Sequence, residues 1–196
     1  MTGDQESRQA LIAQLQRYTP YNAQEAHDRQ QILASLERFP NIFSRENTLA
    51  HMTASAWVVN PARDRVLMAY HNIYKSWSWL GGHADGECDL LSVALREVTE
   101  ESGILRVRPL SPFPFSVESL TVDGHIRRGQ YVSSHLHLNV TYLLEADDTA
   151  QTAVKPDENS AVGWFLPEEA VRASSEPWFR ENIYAKLNEK LKSFRE

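Results

Sequence analysis

The chain has 196 residues with 26 acidic and 20 basic side chains, which give a formal net charge of −6 at pH 7. This balance argues against binding to long nucleic acids or to an anionic membrane surface, because both draw on a net basic face. No continuous apolar stretch approaches about 18 residues, so we expect no transmembrane helix.

The start of the chain and its cysteine content bear on its location. The first residues lack the basic region and apolar stretch of a signal peptide. A single cysteine, Cys88, cannot form an internal disulfide, and this fits a reducing compartment. We therefore expect a cytoplasmic protein.

Two helices are predicted before the main part of the chain. Residues 4–18 carry apolar side chains at helical spacing, and a second apolar helical pattern stops before Pro40. Asn22 and Glu25 have the spacing of a capping box at the start of the second helix. We expect these helices to form an extension, residues 1–47, that covers a sheet edge, forms a dimer contact or caps a substrate pocket.

The rest of the chain, residues 48–196, alternates strand and helix patterns. The strand patterns share alternating apolar residues and bounding turn residues, and they fall at 51–59, 65–71, 115–122, 131–145 and 164–166. Asp123-Gly124 is a hairpin-type dipeptide between the third and fourth of these. A short helix is predicted from Pro167, and an amphipathic helix over 177–194. The pattern predicts an α/β fold with a mixed sheet between helices.

An acidic run stands out within this region. Glu97, Glu100 and Glu101 lie at i, i+3 and i+4, so a helix places all three on one face. Like charges at that spacing repel and destabilise a helix unless something positive lies among them. A divalent cation is the economical explanation, because hard ions such as Mg²⁺ prefer carboxylate oxygens. A solvated acidic face is the alternative for an isolated run of this kind.

A glycine-containing loop precedes the acidic run. Gly81 and Gly82 follow an apolar Trp-Leu pair, which indicates a tight turn where backbone approaches a ligand closely. Asp89 is well placed to begin a helix over 89–103. That helix has an apolar flank beside its acidic face, so one side is expected in a core and the other to present acid.

The loop and helix together resemble the Nudix hydrolase family. The signature of that family begins at a glycine and ends at an apolar residue, here from Gly82 to Ile104. The matching positions are Gly82, Arg96, Glu97, Val98, Glu100, Glu101, Gly103 and Ile104. Cys88 replaces the first signature glutamate, which is a supporting residue in the family rather than a principal metal ligand. The resemblance implies a Nudix-like α/β/α sandwich with a mixed β-sheet, here with an N-terminal helical extension and a C-terminal helix.

The resemblance also implies a reaction and a ligand set. It implies hydrolysis of a diphosphate linkage in a nucleoside diphosphate linked to another moiety, with Mg²⁺ or Mn²⁺ as cofactor and a small-molecule nucleotide or diphosphate as substrate. The implied metal ligands are Glu97, Glu100, Glu101 and the carbonyl of Gly82. Arg96 is expected to hold a signature glutamate in place through a salt bridge.

The catalytic base is left open between two sources. One is Glu97 within the signature, and the other is an acid from a distant loop. Asp157 and Glu158, in the polar stretch before Trp164, are the candidate loop, and Glu158 is the candidate base. Solvated surface acids are the alternative interpretation of that stretch.

Histidines form a second group of candidate substrate contacts. His135 and His137 alternate on one predicted strand and so face the same side. His51 lies on another strand, and His83 lies in the glycine loop. If these side chains meet, they could contact phosphate or orient water, although strand histidines are more often structural. A structural zinc site is disfavoured, because there is no cysteine pair and the His-x-His spacing alone is weak.

Two tryptophans and Cys88 have competing interpretations. Trp77 and Trp79 alternate just before the glycine loop, and Trp79 is a candidate to stack on a base or sugar. Packing in the core is the alternative for both. Cys88 lies near a helix N-terminus, where a thiolate is favoured, but we interpret it as a small buried apolar side chain.

Two other functions remain open from the sequence. Isopentenyl diphosphate isomerases share the fold and a similar length, but they use a cysteine on a strand before the signature, a position that Cys88 does not occupy. A binding module that has lost catalysis is the other, and the intact Arg-Glu-x-x-Glu-Glu run argues against it. A homodimer is one arrangement open to the chain, and the sequence does not specify the substrate.

Overall fold

The computed structural model describes residues 3–127 and 129–195. The helices are α1 (Gly3–Arg17), α2 (Ala23–Arg38), α3 (Leu90–Ser102), α4 (Pro167–Ala173), α5 (Pro177–Phe179) and α6 (Ala185–Ser193). The strands are β1 (Ala50–Val59), β2 (Val66–His71), β3 (Ser76–Ser78), β4 (Leu80–His83), β5 (Val107–Pro109), β6 (Ser116–Val122), β7 (His125–Arg127), β8 (Gln130–Val132), β9 (His135–Ala146) and β10 (Asn159–Phe165). The predicted helical extension and C-terminal helical segment are both present.

Within the described residues, eight strands form one mixed sheet. Its order is β10-β2-β1-β9-β5, with β3 beside β2, β4 beside β1 and β6 beside β9. β2 pairs antiparallel with both β10 and β3, and β9 pairs antiparallel with both β5 and β6. Along β1 and β9, the contacts Leu136 to Leu49 and Thr53 to Asn139 advance in the same direction, as they do between parallel neighbours. The α/β fold class and its mixed sheet are confirmed.

The chain forms two compact units, and the long strands β1 and β9 and helix α3 contribute to both. The first unit consists of residues 3–54, 82–93 and 113–141, and the second of residues 55–81, 94–112 and 142–195. Neither unit is one continuous stretch of the chain, because each consists of three separate segments. The division into an extension and a main domain at residue 48 stays a prediction.

In the first unit, α1 and α2 pack on each other and α2 packs on β6. The Asn22 side chain accepts a hydrogen bond from the Glu25 N–H, which caps α2 as predicted. The reciprocal half of the capping box does not form, because the Glu25 carboxylate turns to the Tyr21 N–H (2.7 Å) and the Tyr18 hydroxyl (2.6 Å). Glu25 is fully buried, and Ser116 also donates to it at 2.7 Å. The side chain of Glu25 therefore anchors the helical extension to β6.

In the second unit, aromatic side chains of the sheet and of the C-terminal helical segment pack together in a core. Trp57 on β1 stacks on Tyr184 with ring centroids 5.5 Å apart, and both side chains are fully buried. Tyr184 ends a π-helical turn (Arg180–Tyr184) that connects α5 and α6. The helix predicted over 177–194 is therefore confirmed, with a widened turn in its middle.

One predicted turn is wrong. The sequence suggested that Asp123-Gly124 closes a hairpin between two long strands, but Val122 on β6 already pairs with His135 on β9. The intervening residues form a separate two-stranded ribbon, β7 and β8, in which Arg127 pairs with Gln130. The dipeptide pattern could not reveal this ribbon, because its strands are only three residues long.

Candidate active site

Helix α3 presents the three glutamates, but it does not expose them equally. Glu97 and Glu101 are buried, with 9 % and 5 % of their surfaces exposed. The Glu100 side chain is 43 % exposed and lies on the solvent side of the same face. A purely solvated acidic face is therefore excluded for Glu97 and Glu101, since charged carboxylates are rarely buried without a partner.

Glu101 is a buried acid with a strongly raised pKa. Its Oε2 accepts a hydrogen bond from the Gly81 N–H at 3.0 Å. Burial raises the pKa of Glu101 to about 8, and the negative charges of Glu97 and Glu158 add to that effect more than Lys155 opposes it. A carboxylate in this environment binds either a proton or an additional cation near neutral pH.

Arg96 forms the predicted ion pair with a signature glutamate. Its guanidinium lies 3.1 Å from Glu97 Oε1 and 3.7 Å from Glu100 Oε1. Burial raises the pKa of Glu97, and the hydrogen bond and charge of Arg96 act against that rise. Arg96 thereby fixes the orientation of the Glu97 carboxylate while its own side chain stays largely at the surface.

A loop from far along the chain brings Glu158 to this helix. Lys155 Nζ lies 3.0 Å from Glu100 Oε2 and 3.0 Å from Glu158 Oε1, so the lysine bridges the two carboxylates. The side chain of Asn159 donates to the Glu101 carbonyl at 2.9 Å, which attaches the loop to the C-terminal turn of α3. Four acids and one lysine therefore converge, although Glu158 lies 58 residues beyond Glu100 in the sequence.

The tight turn predicted at Gly81 and Gly82 is wrong, because both glycines lie in strand β4 and the positive φ angles of a turn occur later, at Asp85 and Gly86. Gly81 supplies the N–H to Glu101 and belongs to the second unit. Gly82, predicted as a carbonyl ligand, lies in β4 and belongs to the first unit. Its role as a ligand stays a prediction.

Sequence reasoning missed Gly81 and Lys155 as parts of this site. The signal for Lys155 was present, because it is the only cation within the acidic stretch around Asp157 and Glu158. The glycine pair indicated a close backbone approach, but it could not show that the Gly81 N–H donates to Glu101, since a backbone N–H is common to nearly all residues.

The four predicted histidines meet in the first unit. His137 Nε2 lies 3.2 Å from His83 Nε2 and 3.2 Å from His135 Nε2. The ring of His51 lies 4.8 to 5.2 Å, centroid to centroid, from those three rings. Burial, followed by the neighbouring imidazoles, lowers the pKa of His137 to about 2, so its ring is neutral at physiological pH.

Trp79 and Cys88 have environments typical of packing residues. Trp79 makes edge contacts with Phe179 and Tyr184, at centroid distances of 6.1 and 5.7 Å. Its predicted contact with a base or sugar stays a prediction. Cys88 is 8 % exposed, and burial raises the pKa of its thiol. Cys88 is therefore buried, as predicted, and its environment does not favour the thiolate.

Comparison with known families decides the identity of this fold. The family model described as a NUDIX domain matches residues 49–187, which is more than two thirds of the chain. The chain belongs to the Nudix family. The match begins after α2, so α1 and α2 precede the part that the family shares.

Solved Nudix structures share the fold at low sequence identity. A Nudix hydrolase from M. smegmatis, RenU, has a TM-score of 0.53 at 15 % identity, with 74 % of this chain and 88 % of that chain covered. The E. coli dihydroneopterin triphosphate pyrophosphohydrolase has a TM-score of 0.51 at 16 % identity, covering 73 % and 93 %. A Nudix hydrolase from Clostridium perfringens has a TM-score of 0.50 at 19 % identity, covering 74 % and 98 %. A comparison with curated protein sequences found no match.

Family membership carries a general activity. Nudix hydrolases cleave phosphoric anhydride bonds in nucleoside diphosphate-linked compounds and generally use divalent metal ions, so this chain is an enzyme of that class. The donor set fits such an ion, because carboxylate oxygens are the ligands that hard divalent cations prefer and the buried Glu101 has no full balancing charge. Within the described residues, no helix is long and apolar enough to cross a membrane.

Proposed function

We propose that this Nudix protein is a Mg²⁺- or Mn²⁺-dependent pyrophosphohydrolase that cleaves the diphosphate linkage of a nucleoside diphosphate joined to another moiety. The observation that carries the proposal is the pair of buried acids on α3. Glu97 and Glu101 lie on one helix face, and Glu101 retains a strongly raised pKa despite the Gly81 hydrogen bond and the nearby Lys155. A divalent cation compensates this excess of negative charge better than a single lysine does.

Each acid has a distinct part in the proposal. Glu97, Glu100 and Glu101 supply carboxylate oxygens to the cation, and the Gly82 carbonyl is a further ligand. When bound, the ion neutralises the phosphate charge and lowers the pKa of an attacking water. Arg96 positions Glu97 through the 3.1 Å ion pair, so it acts through another residue rather than on the substrate.

Glu158 is the proposed general base. Its carboxylate is held 3.0 Å from Lys155 Nζ, in a loop whose attachment to α3 keeps it beside the metal ligands. The ion pair with Lys155 holds the Glu158 carboxylate in place, and a carboxylate can accept a proton from water. Glu97 is the alternative base, but its ion pair with Arg96 engages one of its oxygens already.

A substrate panel tests the proposal directly. The full chain, stripped of metal with EDTA, is assayed on dinucleoside polyphosphates, nucleotide sugars and oxidised nucleoside triphosphates with Mg²⁺ or Mn²⁺, and products are identified by mass. Glu101→Gln should lower metal-dependent kcat/KM by about 100-fold or more, because a ligand charge worth several kcal/mol is removed. Undiminished turnover in that variant would sink the assignment of Glu101 as a ligand.

A matched control separates this loss from a general effect of the substitution. Glu168 is exposed in the first turn of α4, and Glu168→Gln makes the same chemical change away from α3. Its activity should stay within about twofold of the wild type, because surface substitutions of this kind have small effects.

The remaining functions make different predictions in the same assay. An isomerase would convert isopentenyl diphosphate without releasing phosphate or diphosphate. A binding module would retain nucleotides in equilibrium binding yet release no product with either metal. Metal-dependent hydrolysis that Glu101→Gln removes would exclude both.

A further inference from the structure

The histidine cluster of the first unit consists of His51, His83, His135 and His137, and the proposed hydrolysis does not use it. His51 lies on β1, His83 ends β4, and the other two lie on β9. β4 and β9 both pair with β1, so neighbouring strands bring the four side chains to one place. Successive strand residues alternate faces, and His135 and His137 are therefore on the same one.

Backbone carbonyls orient two of these rings. His51 Nδ1 lies 3.1 Å from the Asn47 carbonyl oxygen, and His135 Nδ1 lies 2.8 Å from the Ser133 carbonyl oxygen. A carbonyl only accepts, so Nδ1 carries the proton in both rings and Nε2 holds the lone pair. A hydrogen bond from the far ring nitrogen to a carbonyl is the arrangement that orients metal-binding histidines in proteins.

His51 Nε2 is buried without a partner. The residue is 4 % exposed, and its Nε2 has no hydrogen-bond partner among the described residues. Burial of an acceptor without a partner destabilises the fold, so such an atom usually has a ligand or an ordered water beside it. The ring faces His83, His135 and His137, and its unpaired nitrogen therefore indicates a ligand at the centre of the cluster.

The spacing of the nitrogen atoms fits a metal ion. The two 3.2 Å separations of His137 Nε2 are close to the edge of about 3.3 Å that tetrahedral Zn–N bonds of 2.0–2.1 Å produce. One ligand nitrogen from each of His51, His83 and His137 lies within 4.8 Å of the others, so the three rings present nitrogen atoms to a common point. His137 Nε2 carries either one N–H or one lone pair. A hydrogen bond can therefore account for only one of its two 3.2 Å contacts with the neighbouring histidines.

We propose that His51, His83 and His137 bind a divalent transition-metal ion of the zinc class, with His135 beside the site. Imidazole nitrogen suits Zn²⁺ and similar borderline ions, whereas Mg²⁺ prefers oxygen. This site differs from the glutamate site in donor chemistry and does not depend on it. It provides a structural or regulatory metal within the first unit.

Spectroscopy of the unaltered full chain tests the site without relying on activity. The chelator-treated protein is titrated with Co²⁺ and Zn²⁺, and the zinc complex is measured by X-ray absorption. We expect one tight equivalent, visible absorption bands of tetrahedral Co²⁺, and a zinc shell with the multiple scattering of three imidazoles. A shell dominated by oxygen, or no stoichiometric binding, would overturn the proposal.

Variants locate the ion. His137→Ala should weaken Zn²⁺ binding by more than about 100-fold, because it removes the nitrogen shared by two neighbours. His27→Ala is the matched control, since His27 is exposed on α2, and it should bind like the wild type. Glu101→Gln should also retain the zinc site, which separates this result from failure of the hydrolase proposal. If His137→Ala does not fold, His83→Gln replaces it, and unchanged zinc affinity in that variant would refute the assignment.

Discussion

Replacing Glu101 with glutamine should stabilise the metal-free protein at neutral pH, although most substitutions of buried residues destabilise. Glutamine has nearly the same size and keeps an oxygen that accepts the Gly81 N–H. What the substitution removes is a buried carboxylate whose pKa is raised from 4.5 to about 8. The wild-type chain therefore has either to take up a proton or to bury a charge whenever it folds above pH 4.5.

The sign and size of the effect follow from proton linkage. Between pH 4.5 and 8 the folded state binds one proton more at Glu101 than the unfolded state, so stability falls as pH rises. Each pH unit in that window changes the free energy of unfolding by up to about 1.4 kcal/mol. From pH 5 to pH 7.5 the wild type should lose up to about 3 kcal/mol relative to Glu101→Gln.

Urea unfolding in EDTA at pH 5 and pH 7.5 measures this difference. Glu100→Gln, on the same helix but exposed and paired with Lys155, is the control, and it should not reproduce the gain because it removes no buried carboxylate. Adding Mg²⁺ at pH 7.5 should stabilise the wild type by about 2.7 kcal/mol at 100 times the dissociation constant and leave Glu101→Gln nearly unchanged. A variant that is equally destabilised at both pH values would refute the argument.

Three further predictions concern single residues of the same molecule. Lys155→Met should tighten Mn²⁺ binding roughly 3- to 10-fold in calorimetry, because the lysine competes with the ion for the proposed ligand Glu100; weaker binding would contradict this. Gly103→Ala should lower the free energy of unfolding by about 1–3 kcal/mol in urea, since its φ is +73° and an added Cβ would lie 2.8 Å from a neighbouring side chain. Cys88 should react with a disulfide reagent much more slowly in the folded protein than in urea, because burial raises its pKa; equal rates would show that the thiol is exposed.

Local patterns were sufficient to predict most elements near the glutamate site. The helical spacing of apolar residues predicted a helix over 89–103, and α3 spans Leu90–Ser102. The i, i+3, i+4 spacing correctly placed three glutamates on one face, because helix geometry is set by the backbone alone. Their unequal burial was not predictable, since it depends on which segments cover the helix. The pKa of Glu101 depends on that burial and was equally hidden.

The sequence predicted individual contacts where the partners are close along the chain and did not where they are distant. The family resemblance implied an ion pair between Arg96 and a signature glutamate, and the structure shows the neighbouring Glu97 as that partner. Lys155 and Glu100 lie 55 residues apart, so their 3.0 Å pair requires the loop between β9 and β10 to return to α3. The Asp123-Gly124 turn failed for a related reason, because a dipeptide signal does not show which strands it joins.

The histidine cluster shows why sheet order is the decisive missing information. Strand periodicity placed His135 and His137 on one side, and no local pattern related them to His51 or His83. The pairing of β1 with both β4 and β9 does so, because it sets residues from distant parts of the chain on adjacent strands. The sequence argument against zinc rested on the absence of a cysteine pair, which is a statement about neighbours in sequence. In the folded sheet, His137 Nε2 lies 3.2 Å from a ring nitrogen of His83 and of His135. What such a cluster binds is determined by the chemistry of its nitrogen atoms and not by the spacing of the histidines along the chain.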